Sequence, residues 1–341
     1  MTEAAGKPRR LRMTEADVAR HLGVSRATVS RALHGRGRIS VATRERVLAA
    51  ADELGFVPNA MASELAAGRS DVVGLLLRDS ANPAYGQLFD SLQTAARTRD
   101  LEIVSVTVSA DVGGRRQVSG LRRLLGMRVS GLVIATGDVR TDQIVPFIDE
   151  VPMIRAGRPE TDPRIDAVSY DEVGNAQLLA DHVADLGHRA VAVITTSESV
   201  SYPEWVRATA MAAQLERRGV AVTRLDARAS GDGVGKALDA VRAGAVTAVM
   251  CPTDLRQLEV LRGARAAGMS CPGDFSVTGC DGRLPGSDLL GLTSLRLPVE
   301  ELAERTVIRL TELLDGPRGE PTHTLVRGAL VEGTTAAAPS T

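Results

Sequence analysis

The sequence predicts a small all-α domain followed by an α/β domain of two doubly wound lobes. Three short amphipathic helix patterns follow one another between residues 14 and 54. From residue 71 onward, near-continuous apolar strands alternate with helix patterns, which is typical of parallel sheets covered on both faces. The balance of basic and acidic residues also changes near residue 70. Residues 1–70 carry 12 Lys and Arg against 7 Asp and Glu, and the remainder carries 29 against 35.

The chain opens with a basic segment, residues 1–12, which we expect to be disordered. It has no hydrophobic stretch of the kind found in secretion signals. Thr14 can then cap the first helix in a capping box with Asp17. Val18 and Leu22 form the apolar face of this helix, and Gly23 ends it.

The second helix begins after Ser25, a good N-cap residue. With an advance of about 100° per residue, one half of this helix presents small, polar or basic side chains: Arg26, Ala27, Ser30, Arg31 and His34. The opposite half carries Thr28, Val29, Ala32 and Leu33, and is expected to face the neighbouring helices. Two helices joined by a tight Gly-Val turn, the second with such an open face, predict a helix-turn-helix.

Ser40 can cap a third helix, whose Val47, Leu48, Ala51 and Leu54 would close a miniature core. These three helices define a predicted domain over residues 13–57. An ordinary helical subdomain with a solvated basic face would show the same spacing. The net charge of +5 over residues 1–70 favours nucleic-acid binding, because neutralising phosphates releases counterions.

The predicted α/β domain covers residues 70–333. Its strand candidates are Val72–Leu77, Ile103–Val108, Gly131–Ala135, Pro152–Ala156, Ala190–Thr195, Val220–Leu225, Ala245–Cys251 and Phe275–Gly279. Helix patterns between them include Leu88–Arg99, Ala176–Leu186, Glu204–Arg218 and Leu255–Ala267. Eight strands are too many for one small sheet, so two lobes are expected, with a break near Val168–Asp171. The tail at residues 334–341 is rich in Ala, Thr and Pro and is expected to be disordered.

We find no set of residues that predicts catalysis, a cofactor or a metal. The segment Gly231–Lys236 resembles a phosphate loop, but Ser230 stands where the first glycine is needed and Ala237 where a magnesium ligand is needed. His182 and His188 are six residues apart and do not share a helix face. No apolar run approaches membrane length. Three widely spaced cysteines are consistent with a reducing cytoplasm.

Several segments together resemble the LacI/GalR family of bacterial transcriptional repressors. They are VARHLGVSRATVSRALHG, TRERVLAAADELGFVPNAMASELAAGRS, GLLLRDSANPAY and LTSLRLPVEELAERTV, so the resemblance extends from about Met13 to Thr335. It implies a periplasmic-binding-protein-like effector domain, with crossings between the lobes near Leu292–Ser294 and Thr322–Leu325. It also implies a hinge helix and linker at residues 58–69. The expected assembly is a homodimer or larger oligomer, located in the cytoplasm with the nucleoid.

The expected partners are double-stranded, pseudo-palindromic operator DNA and a small-molecule effector; no membrane is expected. The candidate DNA-binding residues are Thr14, Ser25, Arg26, Ala27, Thr28, Ser30, Arg31, His34, Asn59 and Leu65. The resemblance implies that Leu65 wedges between bases of the minor groove. His34 stands where Asn is common, and Ser63 and Ala66 stand where basic residues are common.

Ligands of doubly wound sheets bind beyond the carboxyl ends of the strands, and the resemblance implies an effector between the lobes. The candidate effector-binding residues are Tyr85, Trp205, Arg207, Thr253, Asp254 and Asp281. An Arg and an Asp that converge in a cleft can fix hydroxyl or carboxylate groups. Glu172 and Thr253 both stand where Asn is frequent in the family, and Ala84 replaces a frequent aromatic. Trp205, the only tryptophan, could supply the missing stacking surface.

The sequence therefore predicts an effector-controlled, DNA-binding regulator of the repressor type. Two other classes share a two-lobed fold: a solute-binding protein of the periplasmic kind, and a sugar-active enzyme. The first 68 residues oppose the former, and the missing catalytic set opposes the latter. The effector, the operator sequence and the direction of the effector response are left open by the sequence.

Overall fold

The computed structural model of the chain describes residues 13–33, 39–56, 71–78, 82–108, 115–137, 139–227, 232–317 and 319–340. The chain divides into two compact units, with the boundary between Ser70 and Asp71. The predicted arm at residues 1–12, the predicted hinge at 58–69 and His34 lie outside the described residues. None of the helices in the described ranges is long and apolar enough to cross a membrane.

The first unit contains three helices: α1 (Glu15–Leu22), α2 (Arg26–Leu33) and α3 (Val41–Glu53). The capping box predicted for α1 is present. The Thr14 backbone N–H donates to the Asp17 carboxylate at 2.9 Å, and the Asp17 N–H donates to Thr14 Oγ1 at 3.3 Å. Gly23 ends α1 with φ of 65°, a left-handed conformation that costs a glycine little. The turn between α1 and α2 is therefore set by local sequence.

The caps of α2 and α3 also form as predicted. Ser25 Oγ accepts a hydrogen bond from the Thr28 N–H at 3.1 Å, and Ser40 Oγ accepts one from the Thr43 N–H at 3.2 Å. Each bond satisfies one of the N–H groups that the first turn of a helix leaves unpaired.

A small core joins the three helices. It consists of Val18, Ala19, Val29, Ala32, Val47 and Ala50, with Leu22, Val24, Leu33, Ile39, Leu54 and Phe56 packed around it. The predicted inward half of α2 is thus confirmed. The prediction for Leu48 is wrong: this residue is 46% exposed. Because neighbouring helix residues point about 100° apart, turning Val47 and Ala50 inward turns Leu48 towards solvent.

The second unit contains two lobes, each built on a six-stranded sheet. The strands are β1 (Val72–Arg78), β2 (Glu102–Val108), β3 (Gly131–Ala135), β4 (Met153–Gly157), β5 (Asp166–Tyr170), β6 (Ala190–Thr195), β7 (Ala221–Asp226), β8 (Ala248–Met250), β9 (Ser276–Asp281), β10 (Thr293–Arg296), β11 (His323–Val326) and β12 (Ala329–Val331). The first sheet is parallel throughout, in the order β11-β5-β4-β3-β1-β2. The second has the order β12-β10-β9-β8-β6-β7, and its edge strand β12 is antiparallel.

Helices cover both faces of these sheets. They are α4 (Pro83–Arg97), α5 (Arg115–Gly126), α6 (Thr141–Ile144), α7 (Glu172–Asp185), α8 (Tyr202–Arg217), α9 (Gly233–Arg242), α10 (Asp254–Ala266) and α11 (Val299–Asp315), and a short 3-10 turn spans Val145–Phe147. Apolar clusters lie on the two faces of each sheet. The predicted fold class, a small all-α unit and a two-lobed α/β unit, is confirmed.

All eight predicted strands are present, and four further strands were missed. One of them, β5, overlaps the predicted break between the lobes near Val168–Asp171, and its Asp166 and Ser169 interrupt the apolar pattern that identifies the other strands. Both residues are buried, and Asp166 is paired with Arg309 of α11 at 2.8 Å. The second lobe begins directly afterwards, with α7 and β6. The predicted crossings coincide with β10, after which the chain returns to the first lobe, and with β11, after which it leaves again.

The prediction of a disordered tail over residues 334–341 is wrong for residues 334–340, which lie along the second lobe. Thr335 is buried, and its Oγ1 accepts hydrogen bonds from the Thr293 N–H at 2.9 Å and from Gln257 Nε2 at 3.1 Å. The Ala337 carbonyl accepts a bond from Ser276 Oγ and lies 3.0 Å from Nε2 of the buried His188. A composition typical of disorder is overridden because these backbone groups complete hydrogen bonds that the lobe would otherwise lack.

Candidate functional site

The outward half of α2 is basic and polar. Arg26, Ala27 and Arg31 are exposed, and Ser30 is half-buried. The Arg26 side chain is 76% exposed, with Nε 3.5 Å from a carboxylate oxygen of Glu15. Arg31 Nε donates to the Ala27 carbonyl at 3.1 Å, so its side chain runs back along the helix. Small residues beside two exposed arginines let a helix approach a groove whose base edges accept hydrogen bonds.

Three other candidate DNA-binding residues have capping roles. Thr14 and Ser25 begin α1 and α2. Thr28 is half-buried, with its hydroxyl oxygen 2.8 Å from that of Ser25. These hydroxyls lie at helix N-termini, where backbone N–H groups favour an anion such as a phosphate. The remaining candidates, His34, Asn59 and Leu65, lie outside the described residues.

A cavity lies between the two lobes of the second unit. It encloses about 570 Å³ of non-protein space, including open solvent at its mouth. Its lining comes from both lobes: Asn82, Ala84, Tyr85, Leu88, Ala135, Thr136, Gly137, Ala156, Gly157, Arg158, Tyr170, Glu172, Ser201, Pro203, Glu204, Arg207, Thr253, Asp281 and Leu297. Most of these residues lie at or just after the carboxyl end of a strand, where ligands of doubly wound sheets bind.

Four of the six candidate effector-binding residues line this cavity: Tyr85, Arg207, Thr253 and Asp281. Tyr85 lies in the first turn of α4, which Asn82 caps by accepting from the Ala84 N–H at 2.9 Å. Thr253 caps α10 through the Arg256 N–H at 3.3 Å. Arg207 projects from α8, and Asp281 ends β9. Residues far apart in sequence are thus brought to one cleft by the topology.

Two candidates do not line the cavity. Asp254 is 1% exposed, and its carboxylate accepts hydrogen bonds from the Gly282 N–H and from Ser294 Oγ. It therefore stabilises the end of β9 without facing the cavity. Burial raises the pKa of Asp254 to about 6. Trp205 packs against Tyr202 instead, with ring centroids 5.8 Å apart and planes at 39°. Because α8 points Arg207 into the cleft, a residue two positions earlier projects about 200° away from it.

Arg207 is the centre of a buried ionic cluster. It is 3% exposed, and its Nε and Nη2 donate to the two carboxylate oxygens of Glu172 at 2.7 and 2.9 Å. Its Nη1 donates to the Pro252 carbonyl and lies 3.4 Å from Asp281 Oδ1. The Glu172 contact is a bidentate pair, the geometry that a guanidinium and a carboxylate form most strongly. Glu172 therefore holds the arginine in place from the start of α7.

Asp281 connects this cluster to the first lobe. Its Oδ2 accepts a hydrogen bond from Asn82 Nδ2 at 3.0 Å, although 199 positions separate the two residues. A second interlobe bond runs from Gln87 Nε2 to the Arg283 carbonyl at 2.8 Å. Burial raises the pKa of Asp281 to about 7, against the opposing effect of Arg207. With φ of 108°, Asp281 also adopts a backbone conformation that side chains other than glycine rarely adopt.

Six polar residues of the lining are absent from the candidates that the sequence predicts, and three of them, Asn82, Arg158 and Glu172, make contacts that shape the cleft. The partner of Asn82, Asp281, lies 199 positions away and is too distant in sequence to be inferred. Arg158 stacks on Tyr202, with its guanidinium carbon 4.1 Å from the ring centroid. Glu172 was noted only as a departure from the family pattern. An acid at a position beside a buried cleft needs a cation as its partner, so Glu172 itself was the signal that could have indicated its pairing with Arg207.

The arrangement is suited to binding rather than to bond breaking. Glu172, Arg207 and Asp281 are paired with one another and buried, and the apolar wall is formed by Tyr85, Leu88 and Leu297. Among the described residues no three His, Cys, Asp or Glu side chains are grouped so as to hold a metal ion. Such a cavity can close around a small polar molecule and sense whether it is present.

Comparison with known proteins agrees with both halves of this description. Residues 14–59 match the model of the bacterial regulatory proteins of the lacI family, and residues 180–336 match that of the periplasmic binding protein-like domain. The HTH-type transcriptional regulator CelR of Thermobifida fusca is 30% identical over 340 residues, covering 94% of this chain and 98% of that protein. The lactose operon repressor of Escherichia coli K12 is 27% identical, covering 95% of this chain and 91% of that protein.

Solved structures show the same similarity. The Lac repressor dimer bound to operator and the anti-inducer ONPF superposes with a TM-score of 0.78 at 25% identity, covering 96% of this chain and all of that one. A complex of the regulator CelR with cellobiose gives a TM-score of 0.67 at 27% identity, covering 95% of this chain and all of that one. The two predicted domains thus occur together in proteins of known role. The chain therefore belongs to the lacI family of bacterial regulatory proteins, and it is a DNA-binding transcriptional regulator and not an enzyme.

Proposed function

We propose that the chain is a repressor whose affinity for operator DNA is controlled by a small effector bound between its two lobes. The observation that carries this proposal is the interlobe cavity, in which residues from both lobes surround a buried polar cluster. A ligand there contacts both lobes, so it can change their relative position by binding one arrangement better than another. The effector is a sugar or a related metabolite, as for the similar regulator that was solved with cellobiose.

On the DNA side, the open face of α2 reads bases in the major groove, with Arg26 and Arg31 as the principal side chains. Arginine pairs with guanine O6 and N7, and Ala27 can contact a thymine methyl group. The chain acts as a homodimer on a pseudo-palindromic site, as expected when a two-fold protein binds two half-sites. The similar Lac repressor was solved as a dimer on its operator.

The segment 58–69 links the two functions in this proposal. It lies outside the described residues, and its sequence suits a marginal helix with Pro58 at its start and Gly68 at its end. Paired hinge helices of a dimer would enter the minor groove through Asn59 and Leu65, and the leucine would kink the duplex. A change in lobe arrangement would alter the spacing of the two hinges and so alter DNA affinity.

A gel shift with DNA from upstream of the chain's own gene tests the DNA half of the proposal. The wild-type chain is expected to bind one fragment at least about 1,000-fold more tightly than unrelated DNA of equal length. The Arg26→Ala/Arg31→Ala variant should lose this preference. Arg242→Ala, which removes an exposed charge from α9 of the second unit, is the matched control and should bind as wild type does. Equal binding of all fragments by the wild type would contradict the proposal.

A thermal-shift screen over sugars, sugar phosphates and nucleobases tests the effector half. A ligand at 100 times its Kd stabilises the folded chain by about 2.7 kcal/mol. A ligand found in this way must then change the operator affinity in the gel shift. Arg207→Ala and Asp281→Ala should abolish its binding while leaving operator binding without effector largely intact. Wild-type affinity for the ligand in both variants would remove these residues from the site.

A further inference from the structure

The Glu172–Arg207–Asp281 cluster determines which chemical class of ligand the cavity can take. An arginine in a binding cleft commonly attracts carboxylate or phosphate groups, because its guanidinium offers five N–H donors. Here, however, Arg207 donates to both carboxylate oxygens of Glu172, to the Pro252 carbonyl and towards Asp281. Protein oxygen atoms therefore occupy most of its donors before a ligand arrives.

The charge of the cluster leads to the same conclusion. One guanidinium faces two carboxylates, and all three side chains are at least nine-tenths buried. Glu204 adds a further acid to the cavity lining and Arg158 adds a second cation, so three carboxyl groups face two guanidiniums. Buried charges are screened weakly, so the excess of acidic groups acts strongly on anything that enters. An anionic ligand would have to approach this excess without gaining the arginine.

Asp281, in contrast, retains capacity to bind a ligand. It lines the cavity and accepts one hydrogen bond from Asn82 and a long one from Arg207. A carboxylate has about four acceptor positions, so two remain for hydrogen-bond donors from a ligand. Hydroxyl and ammonium groups supply such donors, whereas a carboxylate or phosphate group supplies none.

We propose that Glu172 neutralises Arg207 and thereby makes this cavity selective for ligands that present hydroxyl or ammonium donors, and not acid groups, to Asp281. This inference rests on the proposed function only in taking the cavity to be the effector site. It assigns the specificity to one residue, Glu172, which is within hydrogen-bond distance of the arginine. Removing the acid at this position should convert an anion-excluding cluster into an anion-binding one.

The experiment measures sulfate binding by the DNA-free, full-length chain, from the rise in melting temperature with sulfate concentration. Glu172→Gln keeps the size of the side chain and removes its charge. The variant is expected to bind sulfate at least about tenfold more tightly than wild type, which corresponds to about 1.4 kcal/mol. Sulfate bound elsewhere on the surface cancels in this comparison, because the two proteins share every other residue.

Two further variants keep the result interpretable. Glu204→Gln removes an acid from the same lining that forms no ion pair with Arg207, and should gain much less sulfate affinity than Glu172→Gln. The double variant Glu172→Gln/Arg207→Gln should lose the gain. If Glu172→Gln does not fold, Glu172→Asn, which is shorter and also uncharged, replaces it in the same comparison.

Three outcomes would overturn the proposal: an unchanged sulfate affinity in the folded Glu172 variant, an equal gain in Glu204→Gln, or a gain that survives loss of Arg207. Each outcome would mean that Glu172 does not control whether Arg207 can bind an anion. The measurement needs no DNA, so failure of operator binding in the gel shift and failure of this inference can be told apart.

Discussion

The hydrogen bond between Asn82 and Asp281 joins the two lobes, and substitutions of Asn82 should change the stability of the chain in a way that depends on pH. Asn82 Nδ2 donates to the Asp281 carboxylate at 3.0 Å, while Asn82 Oδ1 caps α4. Asn82→Asp keeps the cap but replaces the donor with an acid that faces another acid. Asn82→Ser also keeps a capping oxygen and adds no charge, so it is the matched control.

The expected magnitudes follow from the pKa of Asp281, which burial raises to about 7. Both variants lose the hydrogen bond from Asn82 to Asp281, which is worth about 1.5–3 kcal/mol when Asp281 is ionised. In Asn82→Asp the two acids must share a proton, because two carboxylates about 3 Å apart do not both ionise. Below pH 6 the shared proton is already bound, so holding it costs no free energy. At pH 8.5, holding it on a group of pKa about 7 costs about 2 kcal/mol.

A folded-state pKa raised above its unfolded value confers stability that is present at low pH and is lost as pH rises through the folded pKa. Asn82→Asp should therefore melt close to Asn82→Ser at pH 5.5 and about 4–8 °C below it at pH 8.5. Calorimetry on the wild type and both variants at the two pH values measures this. A gap of equal size at both pH values would refute the reasoning, since it would show that Asp281 does not share a proton with position 82.

Three further predictions concern other parts of the chain. Thr335→Val should lower the free energy of unfolding by about 1–3 kcal/mol in urea titrations, because it leaves the buried Thr293 N–H without its acceptor; unchanged stability would mean that the tail contributes nothing to the second lobe. Arg31→Ala should cost about 1–3 kcal/mol on the specific operator and relax preference at one base pair. Equal losses on all sequences in a binding titration would make Arg31 a phosphate contact instead. Leu65→Ala should weaken operator binding and reduce DNA bending in circular-permutation gel shifts, with effector binding and dimerisation unchanged. Equal bending and equal affinity in wild type and mutant would leave Leu65 with a packing role only.

The N-terminal unit could be predicted from the sequence almost residue by residue. Its signals are local: a cap and its N–H partner lie three residues apart, and the helix period alone separates Val29 from Arg26. Gly23 ends its helix through its own backbone freedom. The exception, Leu48, shows where local reasoning fails: the apolar pattern does not fix how α3 is rotated against the core, and the rotation that buries Val47, Ala50 and Ala51 exposes Leu48.

In the second unit, the sequence by itself determined the alternation of strands and helices and the placing of Thr253 and Asp281 near strand ends. Hydrophobic runs identify strands that are buried on both faces. They do not identify β5, whose buried Asp166 is paired with Arg309, a residue 143 positions away. The tail was misjudged for the same reason, because its ordering depends on hydrogen bonds to groups that precede it by 42 positions or more.

Only the tertiary structure decided how the cleft is charged. That Glu172 pairs with Arg207, that Asn82 of one lobe binds Asp281 of the other, and that Trp205 points elsewhere all depend on how the lobes and α8 are oriented. Secondary structure is encoded by neighbours three or four positions apart, whereas the partners of a buried charge are selected by the packing of whole elements. The sequence alone therefore identifies the kind of protein, and the contacts across the two sheets determine what it can bind.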